Sequence, residues 1–473
     1  VRLTNELVTG ATNLRFDLYT EQDHKNQPLQ QDLTDAERQA LASAGDDPLA
    51  AVVPGADSVA FSSDEVLYAK IDTLGFSPVY RYSTNADSAR YRVSFSSVGA
   101  GHGDYVQQEF TPNGRVFRWL QPQTVNGNTV HMGDYAPVRV LVPPRTQRMF
   151  TVGADHRFSA RTKAWGEVAV SDADLNTFSS VDDGDNLGLA VRAGASNSFP
   201  LVRQDTVRHL VVALDNEWRS KDFTVVERYR PVEFERDWNI TTVPQDGDQL
   251  LSQASLGLFD GKKGTATLSS SLFHIDQRYD GLRQALQGAV RFGKFSVNLD
   301  GSLLNTSADT TSSDFLRHKA QLAWRFKPFT IGVNDEQERN RFHDQAADAL
   351  ALGSYQFQDW EAFLQSPDSA KTKYRFGAGQ RYDKALRSGL LANSTEATNY
   401  NAIIDLSGAK VRKLAATFSY RQLRIIDSTL TTQPAEDTYL ARLDHGHSAW
   451  KGAFSWDMFY EFGSGLEQKS EYI

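Results

Sequence analysis

Phe295-Ser296-Val297-Asn298-Leu299-Asp300-Gly301-Ser302-Leu303 is the stretch on which the fold turns. Side chains of a β-strand point alternately to opposite faces, so Phe295, Val297, Leu299 and Leu303 share one face while Ser296, Asn298, Asp300 and Ser302 share the other. The pattern recurs along the chain. Ala320, Leu322, Trp324 and Phe326 alternate with Lys319, Gln321, Arg325 and Lys327, broken only by Ala323. Leu414, Ala416, Phe418 and Tyr420 face away from Lys413, Thr417, Ser419 and Arg421. Trp450, Gly452, Phe454, Trp456, Met458, Tyr460 and Phe462 oppose Lys451, Ser455, Asp457 and Glu461 with no polar interruption. Each run is about ten residues, the length that a tilted transmembrane strand needs and longer than the usual strand of a soluble sheet.

About sixteen such candidate strands run from residue 148 to residue 462. Their connections alternate between short turns and long polar loops. The expected short turns are Ser159–Thr162, Asp260–Gly264, Gly293-Lys294, Lys327-Pro328, Ser366–Ser369, Gly408-Ala409-Lys410 and Gly446-His447-Ser448. The expected loops are the acidic stretch through Asp172, Asp174, Asp182, Asp183 and Asp185, then 219–249, 275–281, 305–314, 339–351, 383–396 and 426–436, with a linker at 197–206 as the weakest point. Short turns at one end and long loops at the other are the habit of outer-membrane barrels. Aromatic residues near strand ends, such as Trp218, Trp238, Trp360, Tyr374, Tyr382, Trp450 and Tyr460, fit an interfacial girdle.

Composition bounds the alternatives. Hydrophobic residues make up 40% and the mean hydropathy is −0.47, so no stretch approaches a membrane helix. A net charge of −9 argues against a nucleic-acid surface. With no cysteine there are no disulfides, zinc-thiolate sites or thiol chemistry. The chain opens on Val1 without a signal-like segment and closes just after a strand and Gly463-Ser464-Gly465-Leu466, so it reads as an internal piece of a longer protein.

Two regions precede the strand array. Residues 1–58 contain an alternating run, with Leu14, Phe16 and Leu18 against Arg15, Asp17 and Tyr19, then the capping box Thr34-Asp35-Ala36-Glu37, which predicts a helix to about Ala44 ending at Gly45. This region is expected to belong to a truncated upstream part. Residues 59–145 hold about seven short strands between turn signals and predict a small immunoglobulin-like β-sandwich. Residues 146–473 are expected to form the barrel segment, an incomplete antiparallel meander.

Signals for chemistry are sparse. Gly99-Ala100-Gly101-His102-Gly103-Asp104 is glycine-rich but precedes no helix that could present amides to a phosphate, so it reads as a loop. His445-Gly446-His447 lacks a third ligand and reads as a surface turn. Asp182-Asp183-Gly184-Asp185-Asn186 has oxygen ligands suited to calcium without EF-hand spacing. The pairs Glu233 and Glu235, or Asp335 and Glu336, are no signal in so acidic a chain. Glu227 to Asn239 is the densest mixture of charge and aromatics; it reads as a loop folded back into the barrel mouth, pairing with interior side chains. No catalytic, cofactor-binding or metal-binding residues are assigned, and no cofactor or enzymatic activity is expected.

Tyr91-Arg92-Val93-Ser94-Phe95, Gly103-Asp104-Tyr105-Val106, Asn113 to Trp119, Gly133 to Val138, Asn176-Thr177-Phe178-Ser179 and Arg230 to Asn239 together carry a resemblance over nearly the whole chain. They resemble a group of large, poorly characterised outer-membrane and cell-surface β-barrel proteins of the Bacteroidota. The resemblance implies an outer-membrane location and a longer parent, and neither a reaction nor functional residues. The expected function is accordingly transport, secretion or surface assembly across a Gram-negative outer membrane, with lipid and periplasmic or surface proteins as partners and no nucleic acid. Two other readings stand beside it: an exported or surface-displayed all-β protein binding glycan or protein, and a secreted polysaccharide hydrolase.

Overall fold

The computed structural model describes residues 1–23, 33–47, 49–125, 128–202, 205–406, 412–426, 437–450 and 453–464. The expected Gly408-Ala409-Lys410 turn, most of the 426–436 loop, Lys451, Gly452, Gly465 and Leu466 lie outside them. A nineteen-stranded antiparallel sheet dominates the described residues. It opens with Arg2–Thr9 and Thr12–Gln22 and continues from Thr146–Arg157 to Phe454–Ser464, each strand pairing with the next in the sheet except that the two-residue Ala349–Leu350 and Tyr355–Gln365 both pair with Thr330–Asp344. The expected meander over 148–462 is what forms.

Three expectations are corrected. Residues 1–22 belong to this sheet: Thr12–Gln22 pairs along its length with Thr146–Arg157, from Gln22 opposite Thr146 to Thr12 opposite His156. Residues 34–58 join the second unit, because the helix Asp35–Ser43 and the strand Val52–Pro54 pack with Val138–Val140 and Leu141 around Leu41 and Ala51. The chain is therefore one sheet with a unit inserted between its second and third strands. The loops expected at 275–281, 305–314 and 383–396 are mostly strand. Phe295–Ala308 and Thr311–Arg325 run 14 and 15 residues and leave only residues 309–310 to turn. Residues 276–278 and 388–389 turn just as tightly. Polar residues such as Asn305, Thr306 and Ser307 keep pairing across the hairpin, which composition alone hides. Similarly, Gly446-His447-Ser448 lies inside Asp437–Ala449 and does not turn there. Parity still holds: the turns at 10–11, 158–161, 261–263, 293–294 and 326–329 share one end, and 175–186, 220–248, 276–278, 309–310 and 345–354 share the other.

The register turns the alternation into surfaces. Phe292, Phe295, Trp324, Ile331, Leu364, Phe376, Ala402, Phe418, Ala441 and Phe462 stand opposite one another in one unbroken row across ten strands. The adjoining row runs Val290, Val297, Leu322, Val333, Ala362, Ala378, Tyr400, Tyr420 and Tyr439. At the other side of the sheet Leu3, Leu18, Phe150, Val170 and Leu189 line up in the same way. Most of these large apolar side chains are exposed.

The opposite face is polar and cross-linked. Asn298 bonds Gln321 (3.0 Å), Gln321 bonds Asn334 (2.9 Å), and Asn334 bonds Glu361 (2.8 Å), which also accepts from Arg375 and Asn401.

The inserted unit has its own core. Two four-stranded sheets face each other across Tyr68, Tyr80, Tyr105 and Phe117, with Phe95 stacked on Phe117. The Tyr105 hydroxyl accepts from the Tyr80 amide and the Tyr68 hydroxyl from the Phe117 amide; burial pushes both hydroxyls up to about 12. The immunoglobulin-like order expected for residues 59–145 is not the one adopted. One sheet takes its strands from 56–93 and the other from 96–136, where the hairpin Gln123–Val125 and Asn128–Val130 stands apart as a sheet of its own, whereas immunoglobulin sheets take strands from both halves of the chain.

Candidate functional site

The segment 220–248 leaves the end of Asp205–Arg219 and lies on the polar face. Its first part crosses at Gly188, where a Cβ would sit 2.1 Å from the Phe223 Cα, so the close approach requires glycine there. The Thr224 amide donates to Ser171 Oγ (3.0 Å) and Gln147 Nε2 to the Val225 carbonyl (3.2 Å). Its second part forms a short helix, Phe234–Asp237, that drives Phe234, Trp238 and Ile240 against Phe273, Ile275, Tyr279, Leu304 and Phe315. Those strand residues are the apolar exceptions on the polar face, and the docked segment is what buries them.

Charges anchor the same helix. Arg236 pairs with Glu338 (2.9 Å), Arg317 with Asp237 (2.7 Å) and Arg283 with Asp237 (3.6 Å). Asn239 donates to Ser313 and Asn340, and the Tyr279 hydroxyl donates to the Trp238 carbonyl. Arg230 lies 4.3 Å from the centre of the Phe234 ring and pairs with Glu217 (2.9 Å). The expected pairing of Glu227 to Asn239 with side chains of the sheet holds for Tyr229, Arg230, Arg236, Asp237 and Asn239, whereas Arg228 donates to the carbonyls of Pro231 and Val232 and Glu233 pairs within the segment.

Between the first part of this segment and the first six strands lies a cavity of about 490 Å³. Its walls include Asp17, Tyr19, Thr151, Glu167, Ala169, Ala190, Arg192, Glu217 and Arg219, roofed by Phe223, Val225, Val226 and Tyr229. Sequence reasoning missed it, since its strand residues come one to three at a time from six strands; the usable signal was the run of small and charged side chains at polar-face positions.

The other motifs serve structure. Asn176, which is buried, donates to the carbonyls of Leu41 (2.8 Å) and Gly45 (2.6 Å), Ser179 to Ala42, and Thr177 to Pro144. Asn176-Thr177-Phe178-Ser179 thus fastens the inserted unit to the sheet. Asp183–Asp185 is one turn of 3-10 helix, and among the described residues no group of three or more potential ligands is placed to hold a metal. Burial, followed by the carboxylates of Asp174, Asp185 and Asp182, raises Asp46 above the usual carboxylate range. Gly103 bridges to Gly133 and Asp104 pairs with His131 (2.8 Å). His445 and His447 lie in a strand against Trp456. Asp335 and Glu336 point to opposite faces, bonding His318 and Lys319 respectively, while Glu233 pairs with Arg236.

No protein-family model matches this chain, and neither does any curated protein. Among solved structures it is similar to a loop L8 deletion mutant of OmpT, an outer membrane protein of Vibrio cholerae, at 12% identity and a TM-score of 0.29, covering 63% of this chain and 91% of that one. It is also similar to the alcaligin outer membrane receptor FauA from Bordetella pertussis, at 11% identity and a TM-score of 0.30, covering 71% of this chain and 64% of that one, less than two thirds of its length.

Proposed function

We propose that this chain forms part of a Gram-negative outer-membrane β-barrel acting in transport, secretion or surface assembly, its apolar face against lipid and its polar face lining the interior. The carrying observation is the apolar row from Phe292 to Phe462, which runs across ten strands with most of its large side chains exposed. A soluble monomer rarely exposes a contiguous apolar patch beyond a few hundred Å², whereas a membrane strand must carry such a band.

Two further observations support the reading. The band crosses the register obliquely: Val212, Leu256, Leu268 and Leu286 are apolar, yet the same row continues as Gly301, His318, Gln337, Gln358 and Tyr382. Strands tilted to a membrane produce that drift. At the turn end, Phe295, Trp324, Phe326 and Phe329 stack ring on ring with centres 4.8–5.0 Å apart, as an interfacial girdle would. No helix among the described residues is long and apolar enough to cross a membrane, so crossing would fall to the strands. The resemblance to Bacteroidota surface proteins is part of the same proposal, as are periplasmic or surface protein partners.

Cell fractionation followed by detergent extraction tests it, with heat-modifiable gel migration as the sign of a folded barrel. Single cysteines at Asp309 and Lys294 then test orientation in a chain that has none of its own. Asp309→Cys should react with an impermeant reagent on whole cells and Lys294→Cys only after the outer membrane is breached. Equal labelling on whole cells would replace the reading with a surface-displayed protein that does not span.

A further inference from the structure

The floor of the 490 Å³ cavity is one register row: Asp17, Thr151, Ala169, Ala190 and Arg219 stand opposite one another on five adjacent strands. Small side chains occupy the middle, with a carboxylate at one end and a guanidinium at the other. The row beneath, Arg15, Gly153, Glu167, Arg192 and Glu217, carries more charge, but it is largely neutralised from within. Arg15 pairs with Asp155 (3.1 Å), Arg192 with Asp215 (3.2 Å) and Glu217 with Arg230 (2.9 Å), while Glu217 also accepts from the Tyr229 hydroxyl. Asp17 and Arg219 are half-buried; Arg219 hydrogen-bonds the Tyr229 side chain and feels Glu217 nearby, yet no carboxylate stands within ion-pair distance of it, nor a cation within that distance of Asp17, among the described residues. Arg2 and Glu227 also line the cavity, but both are exposed at its rim.

Half-burying opposite charges apart from one another is costly unless something completes them. Phe223, Val225 and Val226 give the space between them an apolar roof, with Glu167, Arg192 and Glu217 along one side and the Tyr229 hydroxyl on Glu217. Four interstrand spacings separate the two charges, about 19 Å between backbones, less the reach of both side chains. An extended chain rises about 3.3 Å per residue, so three to five residues span that gap.

We infer that this cavity binds the free termini of a short extended peptide with small side chains, Asp17 receiving the ammonium and Arg219 the carboxylate. Ala169 and Ala190 leave room for the peptide's backbone, and the roof covers its side chains. The inference rests on the geometry of the polar face alone and not on where the sheet resides.

Titration calorimetry of the full chain in detergent, using tetra-alanine, its N-acetyl form, its C-terminal amide and the doubly blocked form, tests it. Hydrogen bonds to charged groups imply a loss of roughly 10- to 100-fold in affinity for each blocked terminus. Asp17→Asn should abolish discrimination between free and acetylated N-termini while preserving that between acid and amide; Arg219→Gln should do the reverse. Ala169→Leu, which fills the floor and keeps both charges, should abolish binding. The inference is overturned if tetra-alanine fails to bind at millimolar concentration, or if the doubly blocked peptide binds as well as the free one; both are read on the unmodified chain and need no variant to fold. Binding by a chain recovered in the soluble fraction would overturn the outer-membrane proposal and leave this one standing.

Discussion

The inserted unit and the large sheet solve opposite problems with the same residue types. In the inserted unit Leu67, Tyr68, Tyr105 and Val116 are almost wholly inaccessible and charges such as Arg92 and Glu65 pair on the surface. In the sheet the order is reversed: Leu322, Phe418 and Phe462 are exposed while Glu338 and Asn340 are buried beneath the docked segment. The difference teaches that burial alone does not say which solvent a surface was built for. The inserted unit satisfies the hydrophobic effect by itself; the sheet leaves it unsatisfied on one face along its whole width.

The comparison breaks most readily at Phe117. Phe117→Ala should cost the inserted unit about 3–5 kcal/mol, the usual loss for a buried aromatic, seen as a lower midpoint in urea, without reducing the amount of chain assembled in membranes. Assembly lost in proportion would show that the two regions do not fold separately. Leu299→Arg should behave the other way. A cation on a lipid face costs about 2–4 kcal/mol near the midplane, so heat-modifiable protein should fall sharply, whereas Ser296→Arg on the polar face should leave it near the parent level. Equal effects would favour a water-facing sheet.

Smaller effects sharpen the boundary between the regions. Asn176→Ala strands the buried Gly45 carbonyl and leaves that of Leu41 with the Ala44 amide alone, at about 1–3 kcal/mol, and should raise hydrogen exchange in Asp35–Ser43 while the strands stay protected. Glu37 offers the mildest test. Hydrogen bonds from the Thr34 amide and hydroxyl, and then Arg139, hold its carboxyl below the ordinary value of 4.5. A depressed folded value means that this stabilisation is complete above the unfolded pKa and is lost as pH falls through the folded one. Thr34→Ala should cost roughly 1 kcal/mol at neutral pH and shift the acid loss of helix signal to higher pH; an unchanged acid midpoint would sink the assignment.

Much of this was legible in advance. Alternation such as Phe295 to Leu303 predicted the strands because period two survives any tertiary context, and Thr34 with Glu37 predicted the helix because capping is local. The polar hairpin ends read as loops in the sequence, since Asn305, Thr306 and Ser307 carry the composition of loops while their backbones keep pairing. Residues 1–22 read as a separate region in the sequence because the pairing of Thr12–Gln22 with Thr146–Arg157 leaves no local mark. The cavity was invisible for the same reason: Asp17 and Arg219 become ends of one row only when four intervening registers are known.

That long-range pairing bears on how the molecule assembles. Most neighbouring strands of the sheet can zip through adjacent hairpins, but Gln22 meets Thr146 only after residues 23–145 have been looped out. Loop-closure entropy grows slowly with length, about 0.6 kcal/mol per doubling, so a bulky insertion there is tolerated in equilibrium stability. Its cost is in time, because contacts distant in sequence form late unless something shortens the loop. An inserted unit that folds early does so by bringing Asp23 and Arg145 together, where the Arg145 carbonyl accepts from the Asp23 amide at 2.9 Å. If that core forms first, it delivers the first two strands to a sheet that the remaining hairpins can already have begun.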